Sequence, residues 1–351
     1  MLVHGANISA KESHRKKYQD SDSKQYLAQI RHEYNHWHKQ NMDLCGPGVN
    51  SCETDKDIVK QRVDLFENYK DFIDQKHYAE KFDSRSNLHS SALEEFLYYL
   101  FKDIVSDFGE RALIGKSHTF KDIFFADPSY PKMLETPHAK IERKDHDFVI
   151  GVTISASLQT SKSGLSQIQT EDSDVEQNRE LSVNELIEEA SEIVNKIDKN
   201  QSNLIESGVL LPADSLSNIS GILKAGKAEL HFFDIPVVAI ECKTYLDKTM
   251  LEGSSRAAEE LKARNPNGLY IVVMEWLKLS DAVNLRKYKV DQIYVLRKQK
   301  NTDREYRYLD NYVKNPIDAE VVWHLFSTVR EHLTTDWTGG IEQGLQRGWL
   351  I

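Results

Sequence analysis

The chain has 351 residues, of which 40% are hydrophobic and 28% charged, with a formal net charge of −10. That length allows two or three domains and a core of ordinary size, while no run approaches the roughly 18 apolar residues that a membrane helix needs. An acidic total argues against a nucleic-acid partner, since phosphate binding wants basic surface, but the charge is segregated along the chain. Residues 171–199 hold ten acids against three bases, a local balance of −7. Residues 276–300 hold seven bases against two acids, a balance of +5, with Trp276, Tyr288 and Tyr294 interleaved. The first twenty residues, MLVHGANISAKESHRKKYQD, lack the apolar centre of a secretory signal. Cys45, Cys52 and Cys242 cannot all pair and have no zinc-site spacing, so reduced thiols in an intracellular chain are expected.

In chain order, residues 22–40 and 55–82 read as helices; in the second, Ile58, Val59, Val63, Phe66, Tyr69, Phe72 and Ile73 recur at helical spacing. The segment CGPGVN between them is a turn. A third helix is predicted from Ser91 to about Asp107, with Ser91 and Glu94 in a capping-box pattern ahead of a stripe from Leu93 to Phe108. A strand begins near Asp147 in RKDHDFVIGVTISA. From Leu158 to about Ser182 the chain turns polar, then an acidic amphipathic helix carries Leu186, Ile187, Ala190, Ile193, Val194 and Ile197, the mark of an insertion. AELHFFDIPVVAIECKTY supplies one or two strands, followed by a helix over about 247–264, a turn at NPNG, the strand LYIVVMEW, the strand VDQIYVL and a closing helix over 317–333. The strand–helix–strand span is long enough for a crossover between parallel strands.

The run PVVAIECK raises the chemical question. Pro236 to Ile240 read as a strand covered on both faces, yet it ends in Glu241 and Lys243, two residues apart and therefore on one side of the strand. If the Asp147 strand lies beside it, two carboxylates and an ammonium meet at the rim of a sheet. Hard oxygen ligands of this kind suit Mg²⁺, which prefers one or two carboxylates plus substrate phosphates. Lys243 would then orient or help deprotonate a water for phosphodiester hydrolysis.

These residues resemble the PD-(D/E)xK nuclease fold. From SSALEEFLYYLFKDI through KDHDFVIG to AIECKTYLDKTMLEGSSRAAEELKARNP, roughly residues 88–300, the chain is similar to type II restriction endonucleases that cut CCTNAGC-type sites, several of which work as two different subunits. The resemblance implies an α/β core with a central mixed sheet flanked by helices, and Mg²⁺-dependent cleavage of double-stranded DNA that leaves 5′-phosphates. It implies Asp147, Glu241 and Lys243 as motif residues, with the backbone carbonyl of Cys242 beside Asp147 and Glu241 as a metal ligand. A bacterial cytoplasmic enzyme follows, working as a homodimer or as a heterodimer with a related subunit. No Pro precedes Asp147, and about eighty residues separate the two strands, a gap the insertion accounts for. The expected organisation is an N-terminal helical region (1–86), a nuclease core (87–335) interrupted at about 157–228, and a tail (336–351).

Each residue also has a plainer reading. A Glu-x-Lys pair on a strand is often a surface ion pair, and Asp234, seven residues before Glu241, competes with Asp147 as the first motif acid. Glu94 lies near the edge of its helix's apolar stripe, whereas Glu95 points almost opposite; Glu94 is therefore the extra ligand, unless its carboxylate caps the helix. HEYNH at 32–36 matches HExxH, but its flanks are polar and no third ligand stands out, so a solvated helix face is expected instead of zinc. Arg286, Lys287 and Lys289, with Lys248 and Arg256 on the helix after the motif, are the candidates for DNA contact. A nuclease without base specificity, as in repair or mobile elements, and a DNA-binding subunit without catalysis are the alternatives.

Overall fold

The computed structural model describes residues 2–82, 88–125, 129–135, 139–159, 228–304, 306–309, 311–335 and 345. The expected acidic helix over 186–197, the bulk of the insertion and all but one residue of the C-terminal tail lie outside these residues. The chain divides into two compact units. One comprises residues 1–2, 122–142 and 154–233; the other comprises 3–121, 143–153 and 234–351 and holds every candidate site residue. No helix among the described residues is long and apolar enough to cross a membrane.

Five helices open the larger unit: α1 (Val3–Glu12), α2 (Ser21–Asp43), α3 (Asp55–Ile73), α4 (Lys76–Phe82) and α5 (Leu88–Asp107). The single helix expected over 55–82 is thus two, parted where the Asp74 and Gln75 amides bond back to Lys70 and Phe72. The turn between α2 and α3 is tied by the buried Arg62, whose guanidinium donates to the carbonyls of Asn41, Leu44 and Gly46 at 2.8 to 2.9 Å. α5 is buried almost all round, from Leu88 through Val105, as expected of a helix at the centre of a packed layer. Phe96 stacks on Phe66 of α3 at 4.4 Å, and Trp37 of α2 stacks on Tyr69 at 4.7 Å. Because α5 begins three residues before Ser91, the capping-box reading fails: Ser91 is inside the helix and donates to Leu88 O. Glu94 is free of that duty.

The sheet has five strands in the order β1 (Ala112–Phe125), β2 (Ala139–Gln159), β3 (Ala228–Leu246), β4 (Leu269–Leu277) and β5 (Gln292–Val295). Residues 130–135 form the short helix α6 between β1 and β2. β2 starts eight residues before Asp147, in the charged stretch AKIERKDH, which offered no apolar run to mark it. β3 and β4 pair in parallel, with Ile240 beside Ile271 and Lys243 beside Met274; β4 and β5 do the same. Between β3 and β4 runs α7 (Lys248–Lys262), capped by the Asp247 carboxylate on the Met250 amide. Leu251, Ala257, Ala258 and Leu261 of α7 pack on Ala239, Tyr270, Val272 and Met274. Two further helices, α8 (Asn301–Arg304) and α9 (Ala319–Thr334), follow, and Phe326 of α9 stacks on Phe101 of α5.

One close approach fixes β2 against β3. A Cβ at Gly151 would lie 2.1 Å from Ile235 O and 3.0 Å from Pro236 Cα, so only glycine lets the two backbones meet there. Four residues upstream on β2 is Asp147.

Candidate active site

The neighbouring of β2 and β3 brings the motif residues together. Asp147 Oδ2 accepts from the Cys242 amide at 3.0 Å and from Lys243 Nζ at 3.2 Å. Lys243 Nζ also sits 2.6 Å from Glu241 Oε1. All three side chains are partly open, at 20 to 27% exposure. Tyr270 on β4 donates its hydroxyl to Glu241 Oε2 at 3.4 Å. Glu94 reaches the same rim from α5. Among the described residues its buried Oε2 has no hydrogen-bond partner, and the nearest cation is Lys116 Nζ on β1 at 3.7 Å.

Electrostatics separates the carboxylates. Burial, then the charge of Asp147, raises the Glu94 carboxyl to about 7. Burial alone would lower the Lys243 ammonium, but Asp147 and Glu241 outweigh it and hold Lys243 raised, so it is cationic at neutral pH. His146 is packed edge-on against Tyr270, and burial lowers it to about 4; it is neutral beside Asp147. The Cys242 thiol is driven up by burial and takes no part as a thiolate.

Among the described residues no group of three or more His, Cys, Asp or Glu side chains forms a ready metal cage. The donor chemistry nonetheless fits Mg²⁺, which takes one or two carboxylates and retains water. Asp147 and Glu241 converge through one lysine, and Glu94 Oε2 is a buried oxygen with no donor of its own.

Other predicted residues fall elsewhere. Asp234 accepts from Ser117 Oγ at 2.6 Å and from Thr153 Oγ1 at 2.7 Å, so its carboxylate bridges β1 and β2. His32 and His36 are exposed on α2. Lys248 and Arg256 are exposed on α7 in i,i+4 pairs with Glu252 and Glu260. Arg286, Lys287 and Lys289 are exposed beyond β4 and form no ion pair among the described residues. Arg297 is different: at 1% exposure it bonds Glu275 and Glu67, and so belongs to the core. Lys116, Tyr270 and His146 were not foreseen. β1 mixes polar and apolar residues without clean alternation, and Tyr270 reads as one more apolar residue in a buried strand.

The comparison with curated proteins returns no match. Among solved structures, the fold is similar to that of the native BbvCI A2B2 tetramer at low resolution, with a TM-score of 0.57 and 17% sequence identity over 95% of this chain and 98% of that one. The model of the Bpu10I restriction endonuclease family matches residues 85–176 and 225–350, more than half of the sequence and all of the site. This chain belongs to the Bpu10I restriction endonuclease family, a type II restriction endonuclease resembling those that cut CCTNAGC-type sites.

Proposed function

We propose that the chain hydrolyses phosphodiester bonds of double-stranded DNA at a specific sequence, with Mg²⁺ as cofactor, and leaves 5′-phosphate ends. The observation that carries this reading is that Asp147 and Glu241, from adjacent strands, share Lys243 at 3.2 and 2.6 Å. Asp147, Glu241 and the Cys242 backbone carbonyl would hold the metal, with Glu94 as a further carboxylate. When bound, the metal offsets charge on the phosphate and favours ionisation of water.

Lys243, kept cationic by its two carboxylates, is suited to donate hydrogen bonds to an attacking water or to a phosphate oxygen, and poorly suited to accept a proton. Water oxygen forms the new bond to phosphorus, the bond to the 3′ oxygen breaks, and a proton passes through solvent to the departing oxygen. Tyr270 keeps Glu241 oriented, and the Cys242 amide does the same for Asp147. Arg286, Lys287, Lys289, Lys248 and Arg256 supply exposed cations for the DNA backbone. The A2B2 assembly of the similar BbvCI supports work as a homodimer or with a related subunit.

Digestion of a sequenced plasmid in Mg²⁺ with end mapping tests the reading. Discrete fragments with 5′-phosphates are expected. A smear would mean cutting without base specificity, and intact plasmid in the presence of every required subunit would mean a binding role alone.

A further inference from the structure

The edge strand β1 carries a cation at the rim of the carboxylate cluster. His118 on β1 pairs with Asp145 on β2, and Thr119 Oγ1 donates to Lys144 O at 3.2 Å. One step forward on β1 is one step back on β2, the antiparallel sense. Two residues earlier on β1 is Lys116, which reaches the Glu94 carboxyl near Asp147 and Lys243. Ser117 and Thr119, on the other face, are buried. Lys116 keeps 46% exposure, and its Nζ lies 3.7 Å from Glu94 Oε2, near enough for attraction but outside hydrogen-bond range.

Two lysines stand at this rim, and only one of them is engaged by the motif carboxylates. Glu94, Asp147 and Glu241 bring three carboxyl groups to the place where a polyanion would be cut. Lys243 is already held between two of them, and the cations acting on Glu94 are Lys116 and Lys243. An ammonium is a compact charge with three donors, and the one on Lys116 is half in solvent with no acceptor within hydrogen-bond range among the described residues.

We propose that Lys116 is a phosphate-contacting residue, its ammonium binding a non-bridging oxygen of the DNA strand at or beside the phosphodiester presented to Asp147 and Glu241. This rests on the nuclease reading above. The contact makes β1 one wall of the DNA track, on the side of the sheet opposite the basic segment beyond β4 in strand order.

The test uses the full chain, with any partner subunit it requires, on the plasmid site located by end mapping. Lys116→Ala and Lys116→Arg are compared with Glu241→Ala for single-turnover cleavage in Mg²⁺ and for binding of the site duplex in Ca²⁺ across a salt series. Lys116→Ala should slow cleavage by about 10- to 100-fold and lower the salt slope by about one unit. Lys116→Arg should recover most of both, and the melting temperature should not move, since the residue is half exposed. Cleavage within about twofold of the parent with an unchanged slope overturns the proposal. So does a slowing that Arg fails to relieve with an unchanged slope, for Lys116 would then act on Glu94 alone. Full cutting by Glu241→Ala would instead defeat the site reading beneath it, and the salt slope of Lys116→Ala would still decide whether that lysine meets phosphate.

Discussion

Glu94 and Glu95 are consecutive on α5, and both are buried, but among the described residues Glu95 is held by four donors and Glu94 Oε2 by none. Glu95 Oε2 accepts from the His4 and Gly5 amides at 2.8 and 3.2 Å, capping α1, while Tyr99 and Tyr34 donate to its carboxylate. Glu95→Ala would strip that cap and leave buried N–H groups unsatisfied, each costing about 1–3 kcal/mol. A marked loss of stability in urea melts is expected. Glu94→Gln should leave the melt nearly unchanged, because it removes a carboxylate that burial already disfavours, and should cut cleavage by at least tenfold. Equal stability effects at the two positions would contradict this division.

The same corner predicts acid lability. Burial and then the charge of Lys70, with Lys11 and Arg31 adding, lower His4 well below its ordinary range. Its ring bonds Tyr69 and Ser91 at 2.6 and 2.9 Å, and the Glu95 carboxylate faces its amide. The unfolded chain takes up a proton at His4 below about pH 6.5, whereas the folded chain does not. This contribution is therefore complete above pH 6.5 and falls as the pH drops, by about 1.4 kcal/mol per unit. His146, lowered to about 4, acts in the same direction, while the raised carboxyls of Glu94 and Glu95 oppose it. The clean readout is a difference: the stability gap between the parent and His4→Gln should shrink from pH 7.5 to pH 5.5. A gap constant with pH would mean that His4 takes up its proton as readily in the folded chain as in the unfolded one.

That corner also marks the limit of what the sequence discloses. Periodicity sets Glu95 opposite the apolar stripe of α5, which is correct as geometry, but the opposite side is not water. It is covered by α1, whose sequence VHGANISAKE carries too few apolar residues to read as a packing helix and is buried through His4, Gly5, Ile8 and Lys11. By contrast, β3, α7 and β4 were legible nearly to the residue, because buried parallel strands and a capped amphipathic helix each leave a strong local pattern. The convergence of Asp147 with Glu241 and Lys243 was legible because each adjoins a short apolar run, FVI or PVVAI. Lys116 was not, since its place depends on an antiparallel edge strand that no local pattern announces.

Replacing Asp147, Glu241 or Lys243 by Ala should lower cleavage by several orders of magnitude while duplex binding in Ca²⁺ persists, since cutting needs the constellation and docking mostly does not. The contrast is the double substitution His32→Ala with His36→Ala, on the exposed face of α2. It should leave cleavage within a few-fold of the parent. Zinc bound stoichiometrically to the parent, and lost from the double variant together with activity, would reverse these assignments.

The basic segment 276–300 divides into two roles, and mutation should separate them. Arg297 lies at 1% exposure between Glu275 and Glu67, and Lys70 of α3 sits 2.6 Å from Glu275, so β4 is tied to the helical layer by a buried ion cluster. Removing one partner of such a cluster typically costs about 3–5 kcal/mol, and Arg297→Ala should lower stability with DNA binding lost only as the fold is lost. Lys287 and Lys289 are exposed, and neutralising both to Gln should leave the melt unchanged. The overall charge of −10 is screened beyond a Debye length of about 8 Å at physiological salt, so local contacts decide affinity. The double neutralisation should then weaken binding on every sequence alike and reduce the salt slope by about one unit per lost phosphate contact. A loss confined to one base position would mark one of the two as a reader of sequence. With affinity and slope both unchanged, the segment would be ordinary solvated surface, and the DNA path would be sought along Lys248 and Arg256 of α7.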